Sequence, residues 1–125
     1  MKLLHVAVQM EKLEEAHLFF EDILKLKKTR EYVLKSDLAE EIFGIKKDFV
    51  VYLYALENGY IEVFIGEKPN NTGIAHIALA IKHREEVIKR AKEFGLSIYE
   101  KERKGKDTLT FIKDPSGNLY ELKKA

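Results

Sequence analysis

The chain has 125 residues, of which 46% are hydrophobic and 34% are charged, so its length predicts one ordinary domain or two very small ones. Lysine and arginine number 22 against 21 aspartates and glutamates, and the formal net charge of +1 argues against nucleic acid as a partner. The absence of cysteine excludes disulfides, thiolate metal sites and cysteine nucleophiles, so any metal must be held by histidine and carboxylate. No apolar run approaches the about 20 residues of a membrane span, and the N-terminus lacks a cleavable leader pattern. We therefore expect a cytoplasmic protein with no membrane contact.

The first half of the chain predicts four strands, with a long helix after the first and a short helix after the second. Alternating apolar residues predict the first strand at 3–10, with His5 and Gln9 on one face, and helical spacing predicts the long helix at 11–26. The remaining elements are a strand at 29–35, a short helix at 37–43 stopped by Gly44, and strands at 48–57 and 60–65. Asn58–Gly59 predicts a type I′ hairpin turn, which needs positive φ at both central residues.

The second half repeats this order after a linker. Residues 67–73 are the best linker candidate, because they gather turn-forming residues and one of only two prolines. The elements that follow are a strand at 74–81, a helix at 84–94 closed by Gly95, and strands at 96–102, 108–113 and 118–122. Each half therefore reads strand, helix, strand, strand, strand.

The repeat is also visible in the residues themselves. His5–Val8 matches His76–Leu79 in the first strand of each half, and 60–63 matches 119–122 in the last strand. His5 and Glu62 are 57 residues apart, whereas His76 and Glu121 are 45 apart. The difference of twelve residues fits the short helical insert around residues 37–47.

Four ionisable residues thus occupy matching strand positions: His5, Glu62, His76 and Glu121. Alternation places each of them on a strand face with apolar neighbours, where inward-facing side chains are expected. A buried carboxylate is strongly disfavoured unless a cation or hydrogen-bond donors accompany it. Two imidazoles and two carboxylates suit one divalent metal ion with room for water, and nickel, cobalt, zinc, manganese and iron all fit.

The alternative for each of these residues taken singly is a structural role. A lone strand histidine is more often structural than a ligand, and a lone strand glutamate usually faces solvent. The duplication favours the metal site, because chance would have to place the same pair twice. His17 and His83 have no counterpart in the other half, so we expect them to be ordinary surface residues.

Weaker signals surround these positions. The aromatic residues Tyr52, Tyr54, Tyr60 and Phe64 fit either a substrate pocket or, more commonly, a core. The turn at 114–118 predicts the register of the last strand and hence the direction of Glu121. The charged loop at 101–107 is typical of a solvated loop or of a flap over a site.

Over nearly its whole length the sequence resembles the vicinal oxygen chelate superfamily, which contains glyoxalases, bleomycin resistance proteins and dioxygenases, and within it the short bacterial type of glyoxalase I. The resemblance rests on residues 2–5 before an amphipathic helix, Ile61–Glu62 after a hairpin, 75–79, and 114–118 leading into Glu121. It implies an α+β fold in which two βαβββ modules form glyoxalase-like half-barrels of mixed, curved sheet. The chain would then be one glyoxalase-type domain over residues 1–125, with modules at 1–66 and 74–125.

The resemblance also implies a site and partners. Its four metal ligands would be His5, Glu62, His76 and Glu121, with one divalent ion in each site. Such sites are often shared between opposite modules of two subunits, so we expect a homodimer that binds a small-molecule substrate. The residues that would contact this substrate are Gln9, Tyr52, Tyr54 and Phe64.

The activity implied is that of a metal-dependent lyase or isomerase used in methylglyoxal detoxification. It converts the hemithioacetal of a 2-oxoaldehyde and glutathione to an S-2-hydroxyacyl thiol through an enediolate, with Glu121 or Glu62 as the base. Gln9 stands where the family carries an arginine for the glutathione carboxylate, and Gly66 stands where it carries an asparagine, so another thiol remains open.

Other activities of the superfamily remain as alternatives. They are an acyl-coenzyme A epimerase, an extradiol dioxygenase, and a non-catalytic binding protein of the bleomycin-resistance type. The epimerase usually has glutamine at the position of Glu62, dioxygenases use only three ligands, and the binding proteins generally lack them. The complete ligand set therefore favours the glyoxalase activity.

Overall fold

The computed structural model describes residues 4–67 and 77–125. The chain divides into two compact units, Met1–Lys68 and Pro69–Ala125, each of which holds one four-stranded sheet. Most of the predicted linker, at 68–73, and residues 74–76 of the following predicted strand lie outside the described residues. Within the described residues, no helix combines the length and the apolar character needed to cross a membrane.

The first unit has the predicted order of strands. Its elements are β1 (His5–Met10), α1 (Leu13–Ala16) with a π-helical continuation (His17–Ile23), β2 (Lys28–Leu34), α2 (Ser36–Phe43), β3 (Phe49–Ala55) and β4 (Tyr60–Ile65). The strands lie in the order β1-β4-β3-β2, with β1 parallel to β4 and the other pairs antiparallel. The predicted stop of α2 is confirmed, since Gly44 adopts a left-handed φ of 71° directly after it.

The long helix differs from the prediction. It begins as an α-helix, in which Ala16 N–H donates to Lys12 O, and then widens, so that Leu24 N–H donates to Phe19 O five residues back. Its fully buried residues are Ala16, Phe19, Phe20 and Ile23. This spacing satisfies the apolar periodicity of an α-helix equally well, so hydrophobic pattern alone could not reveal the wider turns.

The predicted hairpin between β3 and β4 is confirmed, but its turn is of another type. Ala55 pairs with Tyr60, and Leu56 N–H donates to Gly59 O, which leaves a loop of residues 56–59. Gly59 has a φ of 91°, whereas Asn58 is not in the left-handed region. The predicted type I′ turn is therefore wrong. The longer loop needs only one left-handed residue, and glycine occupies that position.

The two faces of the first sheet have different partners. The helix covers one face, where Ile61 and Val63 of β4 and Tyr54 of β3 are buried beside Phe20. On the other face, a second apolar cluster forms under α2. Its buried members are Leu34, Ala39, Phe49, Val51 and Leu53. The twelve-residue insert of the first half thus covers part of the face that carries Glu62, since Leu53 pairs directly with that residue.

The second unit repeats the arrangement without an insert. Its elements are β5 (Ile77–Ile81), α3 (Arg84–Glu93), β6 (Ile98–Arg103), β7 (Lys106–Lys113) and β8 (Leu119–Lys124). The strand order is β5-β8-β7-β6, with β5 parallel to β8. Together with the first unit, this confirms the α+β fold of two βαβββ modules with mixed sheets.

A buried aspartate fixes the turn before β8. Asp114 accepts hydrogen bonds from the backbone N–H groups of Ser116 and Asn118 at 2.9 and 3.0 Å, and from the Tyr120 hydroxyl at 3.0 Å. Burial raises the pKa of the Asp114 carboxyl, and these donors act in the opposite direction. The turn therefore sets the register of β8 through one side chain.

We expect Asp114→Ala to lower the free energy of unfolding by about 2–4 kcal/mol, because several buried donors lose their acceptor at once. The matched control is Asp48→Ala, since Asp48 accepts a hydrogen bond from the Ser36 backbone N–H at an exposed position. That variant should lose about 1 kcal/mol or less. Urea unfolding followed by circular dichroism measures both, and equal losses would contradict the role assigned to Asp114.

Candidate metal centre

His5 and Glu62 form a close pair on neighbouring parallel strands. Glu62 pairs with Ala7 of β1, and His5 lies two residues earlier on the same face of that strand. The His5 Nε2 atom is 3.1 Å from Glu62 Oε2, and the side chains are 38% and 15% exposed. The His5 ring also stacks on Tyr60, with 4.9 Å between ring centroids. Two polar groups 57 positions apart in sequence are thus brought into contact by the register of β1 and β4.

Tyr32 is a site residue that the sequence reasoning missed. Its hydroxyl donates to Glu62 Oε1 at 3.3 Å from β2, so the two carboxylate oxygens face different partners. Burial, followed by the charge of Glu62, raises the pKa of the Tyr32 phenol and keeps it a hydrogen-bond donor. The signal available in sequence was strand alternation, which places Tyr32 and Leu34 on one face of β2, but only the strand order shows that this face carries Glu62.

The surroundings of Glu62 are apolar on one side. Leu53 lies opposite it on β3, and Val51 lies opposite Phe64, one step along the same face. Tyr32, Tyr60 and Phe64 pack partly buried around this cluster, which α2 covers through Ala39. A carboxylate at the edge of an apolar floor needs partners, and His5 and Tyr32 supply them.

The predicted aromatic pocket is split between the two faces of the sheet. Phe64 and Tyr60 share the face of Glu62, but Tyr52 and Tyr54 pair with Val63 and Ile61 and so face the helix. Tyr54 is fully buried, stacks on Phe20 at 4.9 Å and donates its hydroxyl to Glu21. Burial raises the pKa of this phenol strongly. The structure therefore corrects the grouping: Tyr52 and Tyr54 belong to the helix-side core and do not border Glu62.

The two histidines that have no counterpart in the other half lie at the surface, as predicted. His17 and His83 are both exposed. His17 Nδ1 is 2.7 Å from Glu21 Oε2, on the helix side of the first sheet. Neither histidine therefore competes with His5 for a place beside Glu62.

Gln9 and Gly66 lie close together at the end of the β1–β4 pair. The Gln9 amide donates to the backbone carbonyl of Glu67 at 2.7 Å and, at 3.4 Å, to that of Gly66. An ideal Cβ at position 66 would lie 2.6 Å from Cε1 of Phe49, which leaves no room for an asparagine without a shift of that ring. Both positions therefore have a structural role at the end of the β1–β4 pair.

Glu121 repeats the position of Glu62 in the second sheet. It pairs with Ala78 of β5, just as Glu62 pairs with Ala7 of β1. The sequence places His76 two residues before Ala78, at the position matching His5, but His76 lies outside the described residues. Glu121 is 16% exposed, and the Lys123 ammonium is 3.7 Å from its Oε1 atom. The register of the two units therefore agrees at both glutamates.

Comparison with known families identifies the fold. The sequence model of the Glyoxalase/Bleomycin resistance protein/Dioxygenase superfamily matches residues 2–122. The chain belongs to this superfamily. A comparison with curated protein sequences gave no match.

Several solved structures share the glyoxalase-like fold. A glyoxalase family protein from Bacillus cereus has a TM-score of 0.78 at 16% identity, covering 98% of this chain and 92% of its own. The trypanothione-dependent glyoxalase I of Leishmania major has a TM-score of 0.71 at 17% identity, with 99% and 86% covered. A fosfomycin resistance protein from Listeria monocytogenes, complexed with Mn(II) and 1S,2S-dihydroxypropylphosphonic acid, has a TM-score of 0.70 at 18% identity, with 97% and 87% covered. At these identities the likeness establishes the fold.

The distance between His5 and Glu62 is compatible with a shared divalent ion. Two neighbouring ligands that each lie about 2.1 Å from a metal ion are about 3 Å apart, and His5 Nε2 and Glu62 Oε2 are separated by 3.1 Å. Across residues 4–67 and 77–125, no three histidine or carboxylate groups gather as a complete cluster. The described residues thus bring together one nitrogen and one oxygen ligand, and Glu121 stands at the equivalent position of the second sheet.

We expect Gly66→Ala to lower the free energy of unfolding by about 1–3 kcal/mol, because the added methyl group collides with Phe49. Phe49→Leu in the same chain should relieve the collision, so the double variant loses less than the two single variants together.

The control for this cycle is Gly105→Ala, where φ is 71° and no atom lies within 4 Å of the added Cβ. Its cost comes from backbone strain, so it should add to Phe49→Leu without coupling. Urea unfolding of all variants gives the coupling energy. Additive losses at position 66 would show that the ring does not restrict it.

Proposed function

We propose that the protein is a glyoxalase I-like, metal-dependent lyase or isomerase that converts the hemithioacetal of a 2-oxoaldehyde to an S-2-hydroxyacyl thiol. The observation that carries this proposal is the His5–Glu62 contact, together with the identical register of Glu121 in the second sheet. We propose that this activity serves methylglyoxal detoxification in the cytoplasm.

In this proposal His5, Glu62, His76 and Glu121 hold one nickel, cobalt, zinc, manganese or iron ion in each site. When bound, such an ion polarises the adjacent oxygens of the substrate and makes the neighbouring C–H bond more acidic. Each sheet contributes one His–Glu pair, so one four-ligand site needs two sheets. We propose that they come from opposite modules of two chains in a homodimer.

The chain's own residues move the proton. A glutamate carboxylate, from Glu121 or Glu62, takes the proton from the carbon that carries the thiol and returns it to the neighbouring carbonyl carbon. The hydroxyl proton of the first carbon moves to the oxygen of the second, so the reaction is an isomerisation with no other reactant. Tyr32 orients Glu62 through its hydrogen bond, and the apolar floor at Leu53 and Val51 keeps water from the adjacent space.

Several thiols could form the hemithioacetal that serves as substrate. Gln9 donates to the chain's own backbone and Gly66 is packed against Phe49, so neither is available as the carboxylate contact of glutathione. Phe64 shares the strand face of Glu62 and borders the apolar cluster, which suits the small alkyl end of a 2-oxoaldehyde. The test must therefore supply several thiols.

We expect His5→Ala/His76→Ala to lose the metal that the wild-type protein retains after dialysis. His17→Ala/His83→Ala serves as the matched control, because it removes two exposed histidines and should keep the metal. Elemental analysis of the three proteins, each loaded with nickel, cobalt, zinc, manganese or iron, measures the difference. Equal metal content in all three would rule out the proposed ligands.

The reaction itself is tested with methylglyoxal and either glutathione, coenzyme A or 2-mercaptoethanol, following the 2-hydroxyacyl thioester by proton NMR. We expect turnover with at least one thiol, and Glu62→Gln or Glu121→Gln should lower kcat by about 10²-fold or more. The glutamate whose variant retains metal but loses turnover is the base. If none of the thiols supports turnover while an acyl-coenzyme A ester, a catechol or fosfomycin reacts, the protein has another activity of the superfamily.

A further inference from the structure

The second sheet is split along its centre. β7 and β8 pair only at Phe111–Lys113 with 119–121, although β7 begins at Lys106 and β8 continues to Lys124. Each strand remains paired on its other side along this stretch, as Arg103 pairs with Lys106 and Ile81 with Lys124. Beyond Glu121 the two strands therefore diverge, and a slot of about 470 Å³ opens between them.

A buried arginine spans the split. Arg84 of α3 has a side chain that is only 6% exposed. Its guanidinium donates to both carboxylate oxygens of Asp107 on β7, at 2.6 and 3.0 Å, and to the Leu122 carbonyl on β8 at 3.3 Å. Arg84 thereby holds the pKa of Asp107 low and links β7 to β8 beyond the end of their ladder. Hydrogen bonds from Arg84 to both strands therefore frame the slot.

The lining of the slot carries an excess of positive charge. Its cations are Arg103, Lys123 and Lys124, its carboxylates are Asp107 and Glu121, and its hydroxyls are Thr108 and Thr110. Asp107 accepts two hydrogen bonds from Arg84, and the Lys124 ammonium lies 3.9 Å from its Oδ1 atom. Lys123 lies 3.7 Å from Glu121 Oε1, so four cations, with Arg84 included, meet two carboxylates at the slot. Such a concave surface with an excess of positive charge attracts anions.

We propose that the slot between β7 and β8 is an anion subsite, which binds a carboxylate or phosphate group through Arg103, Lys124 and the Thr108 hydroxyl. Glu121 stands at its closed end, where the β7–β8 ladder stops. An anion seated there extends its neighbouring atoms toward Glu121. A further step rests on the proposed function: the thiol part of the substrate carries an anionic group, and that group lies in the slot.

Binding is tested without turnover, by titrating ¹⁵N-labelled protein with inorganic phosphate and, separately, with glutathione as the carboxylate probe. We expect shifts of the backbone amides of Thr108, Thr110 and Leu122, with the stronger probe identifying the group. Arg103→Gln/Lys124→Gln should weaken binding about tenfold, which corresponds to about 1.4 kcal/mol.

The matched control is Lys101→Gln/Lys104→Gln, which removes equal charge from the hairpin that carries Arg103, but from residues that do not line the slot. Its affinity should stay within about twofold of the wild type, because only unspecific attraction is reduced. Equal weakening by both variants, shifts elsewhere on the chain, or no shift with either probe would each overturn the anion subsite.

The substrate role has a separate readout. With the hemithioacetal of the thiol that turns over, Arg103→Gln/Lys124→Gln should raise KM about tenfold if that thiol is anionic and leave kcat unchanged. KM for the neutral 2-mercaptoethanol adduct should not change, and an equal rise for both adducts would contradict the substrate role. If no thiol turns over, the proposed function fails while the phosphate and glutathione titrations still decide the subsite.

Discussion

Parallel pairing between the first and last strands of each unit is the constraint on which the rest of the structure depends. A parallel pair cannot be joined by a tight turn, so all the intervening elements must cross between the two strands. In the first unit this crossing carries the helix, β2, α2 and β3, and it returns β4 to the side of β1. The register then places Ala7 opposite Glu62 and Ala78 opposite Glu121. A slip of one residue would turn each glutamate to the helix-covered face.

The two units keep this register but give their glutamates different surroundings. Glu62 lies beside the apolar floor of Leu53 and Val51, which α2 covers, and it accepts a hydrogen bond from Tyr32. Within residues 77–125 no such helix covers Glu121, since β6 and β7 follow each other directly, and Glu121 lies next to Lys123 and the open seam of the sheet. The insert and the split seam are thus the features by which the two copies have diverged. They give one carboxylate more apolar neighbours and the other a charged neighbour.

The sequence predicts most of the fold because alternation and helical spacing are strong in this chain, and because the repeat shows which elements are equivalent. The face on which Tyr52 and Tyr54 lie can be read from the sequence. A hairpin loop with an even number of residues makes every cross-strand pair sum to an odd number, so even-numbered residues of β3 must share a face with odd-numbered residues of β4. That rule alone places Tyr54 with Ile61 rather than with Glu62. The contact of Tyr32 with Glu62 required the order of strands, and the π-helical turns required backbone coordinates, so neither was accessible from pattern.

The two positions that depart from the family pattern are explained by the same strand pair. Gly66 N–H donates to Met10 O just beyond the last β1–β4 pair, and the Gln9 amide closes the same end through the carbonyls of Gly66 and Glu67. Phe49 fills the space above Gly66, so the glycine is required by packing and the glutamine by backbone hydrogen bonds. Both residues are thus engaged by the chain itself at the end of the strand pair that positions His5 beside Glu62. In the proposed function, a charged group on the substrate would be met by another part of the chain, and the cations along the split seam of the second sheet are suited to that role.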